Sequence, residues 1–297
     1  MSTLTNDEIA RFEYDGILHL PGAIPCEATA PMRALMWKQL AYSGLVSSDP
    51  STWKNVSNEK LREVNRSKVF RHIDSPRLHG AIDDLVGAGR WQVPANWGMF
   101  RMTAPQPGPA WEPTSNGWHS DCLPSDNPRQ ALFMLIHIGE TPPGGGGTLL
   151  IAGSHRRLAR CAAELGAAGN NPSRKRLRKR FRDGSPWLRK LMGEEPADRP
   201  RAEYFAEPSP PDEHGECLRL VEAHGAAGDV YLCHPLMYHA TSDNRSSHMR
   251  LMRLKMLELD PGYERDQADC DVPLSRCLRS VQHHAMGHPV ATDCAAF

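Results

Sequence analysis

The first ninety residues carry apolar side chains at helical spacing, with polar residues on the opposite side. The periodicity is clearest in three segments, residues 5–13, 27–45 and 75–89. Thr5 followed by Glu8 forms a capping box, which predicts that the first helix begins there. The segment GILHLPGAI at residues 16–24 predicts one strand. Residues 1–90 are therefore predicted to be mostly helical.

From Trp91 the pattern changes to short apolar runs that turn residues separate. The runs are WGMFRMT, QALFMLIHI, GTLLIAGS, CLRLVEA, GDVYLCH and MRLMRLKMLEL. Each has the length and composition of a β-strand. Several such strands in sequence are typical of a β-sandwich or barrel. Residues 91–260 are therefore predicted to form a β-core, which makes the fold class mainly β with flanking helices.

A basic, proline-rich segment interrupts the predicted strands at about residues 156–216. We predict that it is a helical, solvated insertion. From Arg174 to Arg182, cations surround Leu177 and Phe181, as in a basic helix with a narrow apolar face. We interpret the cations as a solvated face peripheral to any chemistry; contact with an acidic carrier protein, a CoA-type phosphate or nucleic acid is the alternative. Residues 261–297 form a tail with little periodicity, and its structure is left open.

Overall charge and cysteine content exclude several classes of protein. The 35 basic residues balance 35 acidic ones, so no long-range field attracts nucleic acid, which argues against that partner. No run of eighteen apolar residues and no secretory leader is present, so we expect a soluble, cytoplasmic protein that binds no membrane. The 8 cysteines form no CxxC pairs, which predicts free thiols.

The triplet His119-Ser120-Asp121 offers two metal ligands with one residue between them. With 14 histidines in the chain such a triplet arises by chance, so a third ligand is needed. His239 follows a predicted strand, and Arg250 lies eleven positions beyond His239, in the next predicted strand. Two imidazoles and one carboxylate bind one face of Fe(II) and leave positions open, and arginine offers a planar fork to a carboxylate. These residues predict a non-haem iron site with an anchor for a dicarboxylate.

Spacing alone does not decide which histidine and arginine belong to this site. His234 and Arg245 are separated by the same eleven positions as His239 and Arg250. Both pairs therefore remain candidates on this criterion.

Two further features carry candidate chemistry. His137 lies within an apolar run, where it either faces a cofactor or is a buried core histidine. The four glycines at 144–147 are not followed by Gly-Lys-Ser/Thr, so we predict a tight hairpin there rather than a phosphate-binding loop.

Four segments resemble the phytanoyl-CoA dioxygenase family of Fe(II)/2-oxoglutarate-dependent oxygenases: LTNDEIARFEYDGILHLPGAIP, WHSD, GGGGTLLIAGSH and GDVYLCHPLMYHATSDNRSSHMR. The resemblance implies a double-stranded β-helix (jelly-roll, cupin-like) core. In the family pattern HPLxxH the second histidine is the ligand, which favours His239 over His234. The resemblance thus implies that iron is held by His119, Asp121 and His239.

The same resemblance implies three contacts with 2-oxoglutarate. Arg250 matches the residue that pairs with the distal carboxylate, and Thr241 matches a hydroxyl position that supports this carboxylate. Met99, in WGMFRMTAP, matches a position that touches the co-substrate. A core methionine is the alternative for Met99.

The expected activity follows from the resemblance. It implies a single oxygenase domain over residues 1–297 that uses Fe(II), 2-oxoglutarate and O2, with succinate and CO2 as co-products. We expect it to oxidise, most often by hydroxylation, a small-molecule metabolite or natural-product intermediate, free or tethered to CoA or a carrier. Halogenating members have a small residue in place of Asp121, so halogenation is not expected. The alternatives are a cupin-like metal-binding protein or isomerase, and an oxygenase that acts on nucleic acid.

Overall fold

The computed structural model describes residues 2–54, 56–124, 129–167, 173–263 and 271–284, and strands within these ranges form two antiparallel sheets. The strands are β1 (Ile17–Leu20), β2 (Met99–Thr103), β3 (Gln130–His137), β4 (Leu149–Ala152), β5 (Arg219–Glu222), β6 (Val230–Cys233), β7 (His239–Ala240) and β8 (Arg250–Glu258). The larger sheet has the order β1-β6-β3-β8-β2, and the smaller has the order β5-β4-β7. The seven apolar runs predicted as strands are confirmed, and the two-residue β7 was not predicted.

The helices flank the sheets. They are α1 (Asn6–Asp15), α2 (Cys26–Ala41), α3 (Pro76–Val86), α4 (Ser154–Ala167), α5 (Arg174–Asp183), α6 (Pro186–Leu191), α7 (Arg201–Tyr204) and α8 (Pro273–His284). Three short 3₁₀ helices occupy Pro50–Thr52, Asn58–Leu61 and Lys68–Ile73. The capping box is confirmed, because the Thr5 side chain accepts from the Glu8 amide and the Glu8 carboxylate accepts from the Thr5 amide. That the chain is one domain stays a prediction.

Strand β3 shows how the core is divided. Phe133 and Leu135 face the cluster between the two sheets, whereas Leu132, Met134 and Ile136 face the cluster that includes α2 and α3. Successive side chains of a strand point to opposite faces, and both faces here are covered. The strand therefore reads as a continuous apolar run in the sequence.

The prediction of a solvated insertion was wrong in part. The helices α4 to α7 form as expected, but their apolar residues build a separate core against the smaller sheet. This core contains Leu158, Leu177, Phe181, Trp187, Leu188 and Leu191 from the helices, with Trp118, Leu149, Ile151 and Tyr238. The short helices bury their narrow apolar faces against one another, and in the sequence each face alone is too small to indicate a core.

Helix α8 forms the described part of the tail, with Leu274 and Cys277 buried, while residues 264–270 and 285–297 lie outside the described residues. No disulfide joins the cysteines of the described ranges to one another. Across those ranges, no helix combines the length and the hydropathy that crossing a bilayer would require.

Candidate metal centre

Backbone pairing brings two of the predicted ligands side by side. Strand β7 pairs with β4 on one edge, and on the other edge His239 forms a bridge with His119. The His119 amide donates to the His239 carbonyl at 3.0 Å, and the His239 amide donates to the His119 carbonyl at 2.8 Å. Residues paired in this way present their side chains on one face, and the imidazole centroids are 4.4 Å apart.

The intervening serine explains the His-x-Asp spacing. In extended chain, residues two apart share a face, so Asp121 follows His119 while Ser120 points the other way. Ser120 is buried and its hydroxyl donates to the Cys122 carbonyl at 2.7 Å. One carboxylate oxygen of Asp121 lies 3.3 Å from His119 Nε2, and the other lies 3.8 Å from His239 Nε2.

The three side chains fit a divalent metal ion. Ligand atoms of His119, Asp121 and His239 all lie within 4.8 Å of one another. The Nδ1 atoms of the histidines lie 2.7 Å and 3.1 Å from the carbonyl oxygens of Gly117 and Met237. A carbonyl accepts only from N–H, so each Nδ1 carries the proton and each Nε2 offers a lone pair.

The charges of these groups are unequal. The hydrogen bond to Asp121 raises the pKa of His119 above its ordinary value, and the same bond lowers the pKa of the carboxyl. Burial lowers the pKa of His239, which keeps that imidazole neutral. Without a metal, His119 and Asp121 therefore form an ion pair at acidic pH.

The site is closed on one side and open on the other. The ring of Phe133 stacks on His239 at 4.7 Å, and the His239 side chain is only 8% exposed. The side chain of His119 is 51% exposed. A small molecule can therefore approach from the side of His119.

Arg250 is a buried guanidinium near the edge where β8 meets β2. It lies opposite Thr103, it is 5% exposed, and it donates to the Gly146 carbonyl. Its Nε makes no hydrogen bond, and burial lowers the pKa of its guanidinium to about 10. A buried donor that lacks an acceptor is costly, so this geometry suits an anionic ligand.

The glycine run holds the loop that contacts Arg250. Backbone amides of Gly144 and Gly147 donate to the Glu222 carboxylate at 2.8 Å and 3.1 Å. A Cβ on Gly147 would lie 2.5 Å from the Ala223 carbonyl oxygen, so a side chain has no room there. The run forms a turn and a bridge to Asn244. Its role is to bring the Gly146 carbonyl to Arg250.

His137 is a buried core histidine with one unused nitrogen. It is fully buried, its Nδ1 lies 3.0 Å from the Thr141 hydroxyl, and its Nε2 makes no hydrogen bond. Burial lowers the pKa of the imidazole to about 3, so it is neutral. Arg250 lowers this pKa further, which indicates that the two side chains are close.

The other predicted co-substrate contacts lie nearer the surface. Met99 is 53% exposed and shares a strand face with Arg101 and Thr103. Thr241 is exposed just after β7. Roles for both stay predictions. Sequence reasoning missed Arg101, whose positive charge contributes to lowering the pKa values of both Asp121 and Arg250.

The alternative pair is separated from the metal site. His234 is fully buried, its Nδ1 accepts from the Leu236 amide at 3.1 Å, and its ring lies 5.0 Å from that of His155. Arg245 donates to the carbonyls of Gln106 and Pro107 at 3.1 Å and 2.7 Å. His234 is thus a packed histidine, and Arg245 is half-buried.

The cations of the basic helix from Arg174 to Arg180 are exposed, as predicted for a solvated face, although the helix also contacts the chain beside His119. That the helix is peripheral to the chemistry stays a prediction. Arg174 of α5 donates to the Ser120 carbonyl at 3.1 Å, so this helix contacts the His119 loop (residues 117–122). On α7, Arg201 donates to the carbonyls of Pro113 and Thr114 at 2.9 Å and 3.1 Å. The insertion therefore supports the chain on both sides of His119.

Comparison with one solved structure shows a shared fold, and two others match less well. The non-haem alpha-ketoglutarate-dependent carbocyclase SnoK from nogalamycin biosynthesis superposes with a TM-score of 0.50 and 15% identity, covering 99% of this chain and 96% of its own. AviO1 from Streptomyces viridochromogenes superposes with a TM-score of 0.47 and 17% identity, and the match covers 88% of this chain and 97% of AviO1. EctD from S. alaskensis, with 2-oxoglutarate and 5-hydroxyectoine, superposes with a TM-score of 0.45 and 16% identity, and the match covers 86% of this chain and 77% of EctD.

Among curated protein sequences, no match is found. The sequence family described as phytanoyl-CoA dioxygenase (PhyH) matches residues 12–252, a stretch that includes both histidines, Asp121 and Arg250. The chain belongs to the phytanoyl-CoA dioxygenase family.

Proposed function

We propose that this protein is an Fe(II)/2-oxoglutarate-dependent dioxygenase that oxidises a small molecule. One observation carries the proposal: the ligand atoms of His119, Asp121 and His239 converge within 4.8 Å, and the charge of Arg101 acts on both Asp121 and the buried guanidinium of Arg250. Family membership and the shared fold support it.

The strand order supports a double-stranded β-helix core. From β2 onward the chain passes repeatedly between the two sheets, with β3, β6 and β8 in the larger sheet and β4, β5 and β7 in the smaller. The His119 bridge extends the smaller sheet beyond β7. Both histidines then lie on the smaller sheet, and Arg250 lies on the larger.

The protein groups suit both cofactors. His119, Asp121 and His239 would hold Fe(II), because two neutral imidazoles and one carboxylate bind one face of the ion. Arg250 would pair with the distal carboxylate of 2-oxoglutarate, with Thr241 and Met99 as further contacts. Fe(II), 2-oxoglutarate and O2 together supply oxidation of a substrate C–H bond, with succinate and CO2 as co-products.

The chain itself contributes position and shielding. The carbonyls of Gly117 and Met237 fix the imidazole orientation, and Phe133 closes the side behind His239. The open side near His119 admits the substrate. Hydroxylation is the expected outcome, and cyclisation or epimerisation differs only in where the substrate is held.

Two other functions fit less well. A cupin-like metal-binding protein or isomerase needs no buried guanidinium with an unpartnered Nε, as Arg250 has. An oxygenase of nucleic acid would need a broad basic surface, whereas Arg180 and Arg182 on α5 are neutralised by acidic neighbours. The proposal includes substrates that are tethered to CoA or to a carrier. It also places the enzyme in the cytoplasm, where it would modify metabolites.

A substrate screen tests the proposal. The iron-loaded protein is mixed anaerobically with 2-oxoglutarate and a metabolite library, air is admitted, and succinate and oxidised products are followed by mass spectrometry. We expect succinate that depends on iron, 2-oxoglutarate and O2, with a product gaining oxygen or losing hydrogen. Product formation that proceeds without O2 would favour the isomerase instead.

The carboxylate of Asp121 predicts the class of product. Because it would occupy a coordination position on bound iron that a halide would need, saturating chloride or bromide is not expected to change the product. Any substrate that is turned over can be incubated with either halide, and the products are examined by mass spectrometry for halogen isotope patterns. A halogenated main product from the unmutated enzyme contradicts the role of Asp121.

A further inference from the structure

A cavity of about 290 Å³ opens beside His119, between the His119 loop and α5. Its apolar wall includes Trp118, Leu158 and Tyr238, and its other wall carries the cations Arg174, Lys175 and Arg178. The volume is close to that of the smaller ligand pockets, which start at about 300 Å³. The cavity thus joins a proposed metal ligand to a cationic helix face.

The cations of α5 divide into two groups by their partners. Outside the cavity lining, Arg180 pairs with Glu164 at 2.6 Å, Arg182 pairs with Glu194 at 2.5 Å, and Lys179 pairs with Asp183. On the cavity face, Lys175 and Arg178 form no ion pair with any residue in the part of the chain that the structure describes.

This division has a physical consequence. Of the four cations of α5 outside the cavity lining, three are neutralised locally, and the whole chain has no net charge, so the unneutralised positive charge of this helix lies mainly at the cavity. Next to an apolar wall, the local dielectric is lower than in open water, which strengthens attraction for an anion. Charge-assisted hydrogen bonds from lysine and arginine suit a carboxylate or phosphate.

We propose that this cavity binds the substrate, and that the substrate is a small amphiphilic anion. Its carboxylate or phosphate binds Lys175 and Arg178, and its apolar body lies against Trp118 and Tyr238 with one end towards His119. The inference rests on the proposed function, because it assigns the substrate class of the same site.

The test measures binding without turnover. Calorimetric titrations use the iron-loaded protein under anaerobic conditions, with saturating 2-oxoglutarate to keep probes away from Arg250. The probes are 1-naphthyl phosphate, 1-naphthoate and neutral 1-naphthamide. We expect at least one anion to bind about tenfold tighter than the amide, since one charge-assisted contact has about that effect. The stronger anion identifies phosphate or carboxylate as the substrate's charged group.

Two double variants locate the effect. Lys175→Gln/Arg178→Gln should weaken binding of the preferred anion about tenfold and leave the amide unchanged. Arg176→Gln/Lys179→Gln removes the same charge from exposed positions outside the cavity and should change neither probe. Equal losses in both variants, an amide that binds as tightly as both anions, or no binding of any probe would overturn the proposal.

The heat of 2-oxoglutarate binding and the yield of succinate are measured on the same preparations. If these are normal while the naphthyl probes fail to discriminate, the substrate class is wrong and the oxygenase assignment stands. If 2-oxoglutarate does not bind, the proposed function itself fails.

Discussion

Arg250 combines burial, a charge and an unpartnered donor in one side chain. Its pKa of about 10 keeps it protonated at neutral pH even after the lowering caused by burial. A carboxylate delivered to such a group gains a charge-assisted pair in a water-poor interior. In the proposed function, the partner of this buried charge is therefore the carboxylate of the co-substrate.

Replacing Arg250 by alanine should raise the 2-oxoglutarate requirement strongly. Loss of one partner of a buried charge pair costs about 2–5 kcal/mol, so half-maximal succinate formation should need far more 2-oxoglutarate. Arg245→Ala is the matched control, because that arginine hydrogen-bonds to the carbonyls of Gln106 and Pro107 instead. If the control shows the larger effect, the wrong arginine has been assigned.

Proton competition for His119 should make iron affinity depend on pH. Its pKa is raised by Asp121, and metal binding needs the neutral imidazole, so affinity is full above this raised pKa and falls as pH drops through it. The loss should approach about tenfold per pH unit, the slope for one proton, because burial keeps His239 neutral. Anaerobic iron titrations between about pH 8 and about pH 6 measure this; a flat profile contradicts it.

At the scale of single residues, the candidate metal ligands could be predicted from the sequence, but the surroundings of several other buried residues could not. The spacing of His119 and Asp121 follows from the two-residue period of extended chain, which is a local property. Arg253 shows the opposite case: it is fully buried between the rings of Phe70 and Phe100, at 4.2 Å and 4.3 Å. Nothing local in the run MRLMRLKMLEL indicates that burial, because its partners come from distant segments.

Among the elements, the glycine turn before β4 has a tight steric requirement. Gly147→Ala would place a methyl group 2.5 Å from the Ala223 carbonyl oxygen, which is backbone and has little freedom to shift. We expect a loss of about 1–3 kcal/mol in the free energy of unfolding, with weaker 2-oxoglutarate binding because the turn positions the Gly146 carbonyl.

Gly166→Ala is the matched control in α4. A Cβ there meets nothing within 4 Å, so alanine should leave stability unchanged or raise it by about 0.5 kcal/mol through helix propensity. Denaturant unfolding of the two variants gives both values. Equal stability of the two would show that the turn adapts and does not constrain Arg250.

The elements also show what limits a reading of the sequence. Six core strands could be predicted because turn residues bound each apolar run, but β7 has only two residues and follows Pro235, so it carries no periodicity. The insertion helices could be predicted, yet their core could not. Leu177 and Phe181 are buried only because α4, α6 and the smaller sheet meet them.

For the whole molecule, the candidate site is shared between two parts of the chain. The β-core supplies the convergent histidines, Asp121 and Arg250, and the insertion supplies the contact of Arg174 with the Ser120 carbonyl. The fold class could be predicted from patterning, whereas the approach of α5 to His119 depends on the path of the insertion through space. We infer that the β-core sets the chemistry and the insertion sets the choice of substrate.

The most direct test of this account is the succinate yield and iron content of Asp121→Ala beside the unmutated chain. The remaining imidazoles of His119 and His239 are neutral and supply two ligands, which cannot retain the ion as the full set does. Asp198→Ala is the control, since its carboxylate is 71% exposed at the surface. We predict that Asp121→Ala loses iron and succinate formation while Asp198→Ala keeps both. Full activity and iron retention in Asp121→Ala would contradict the account.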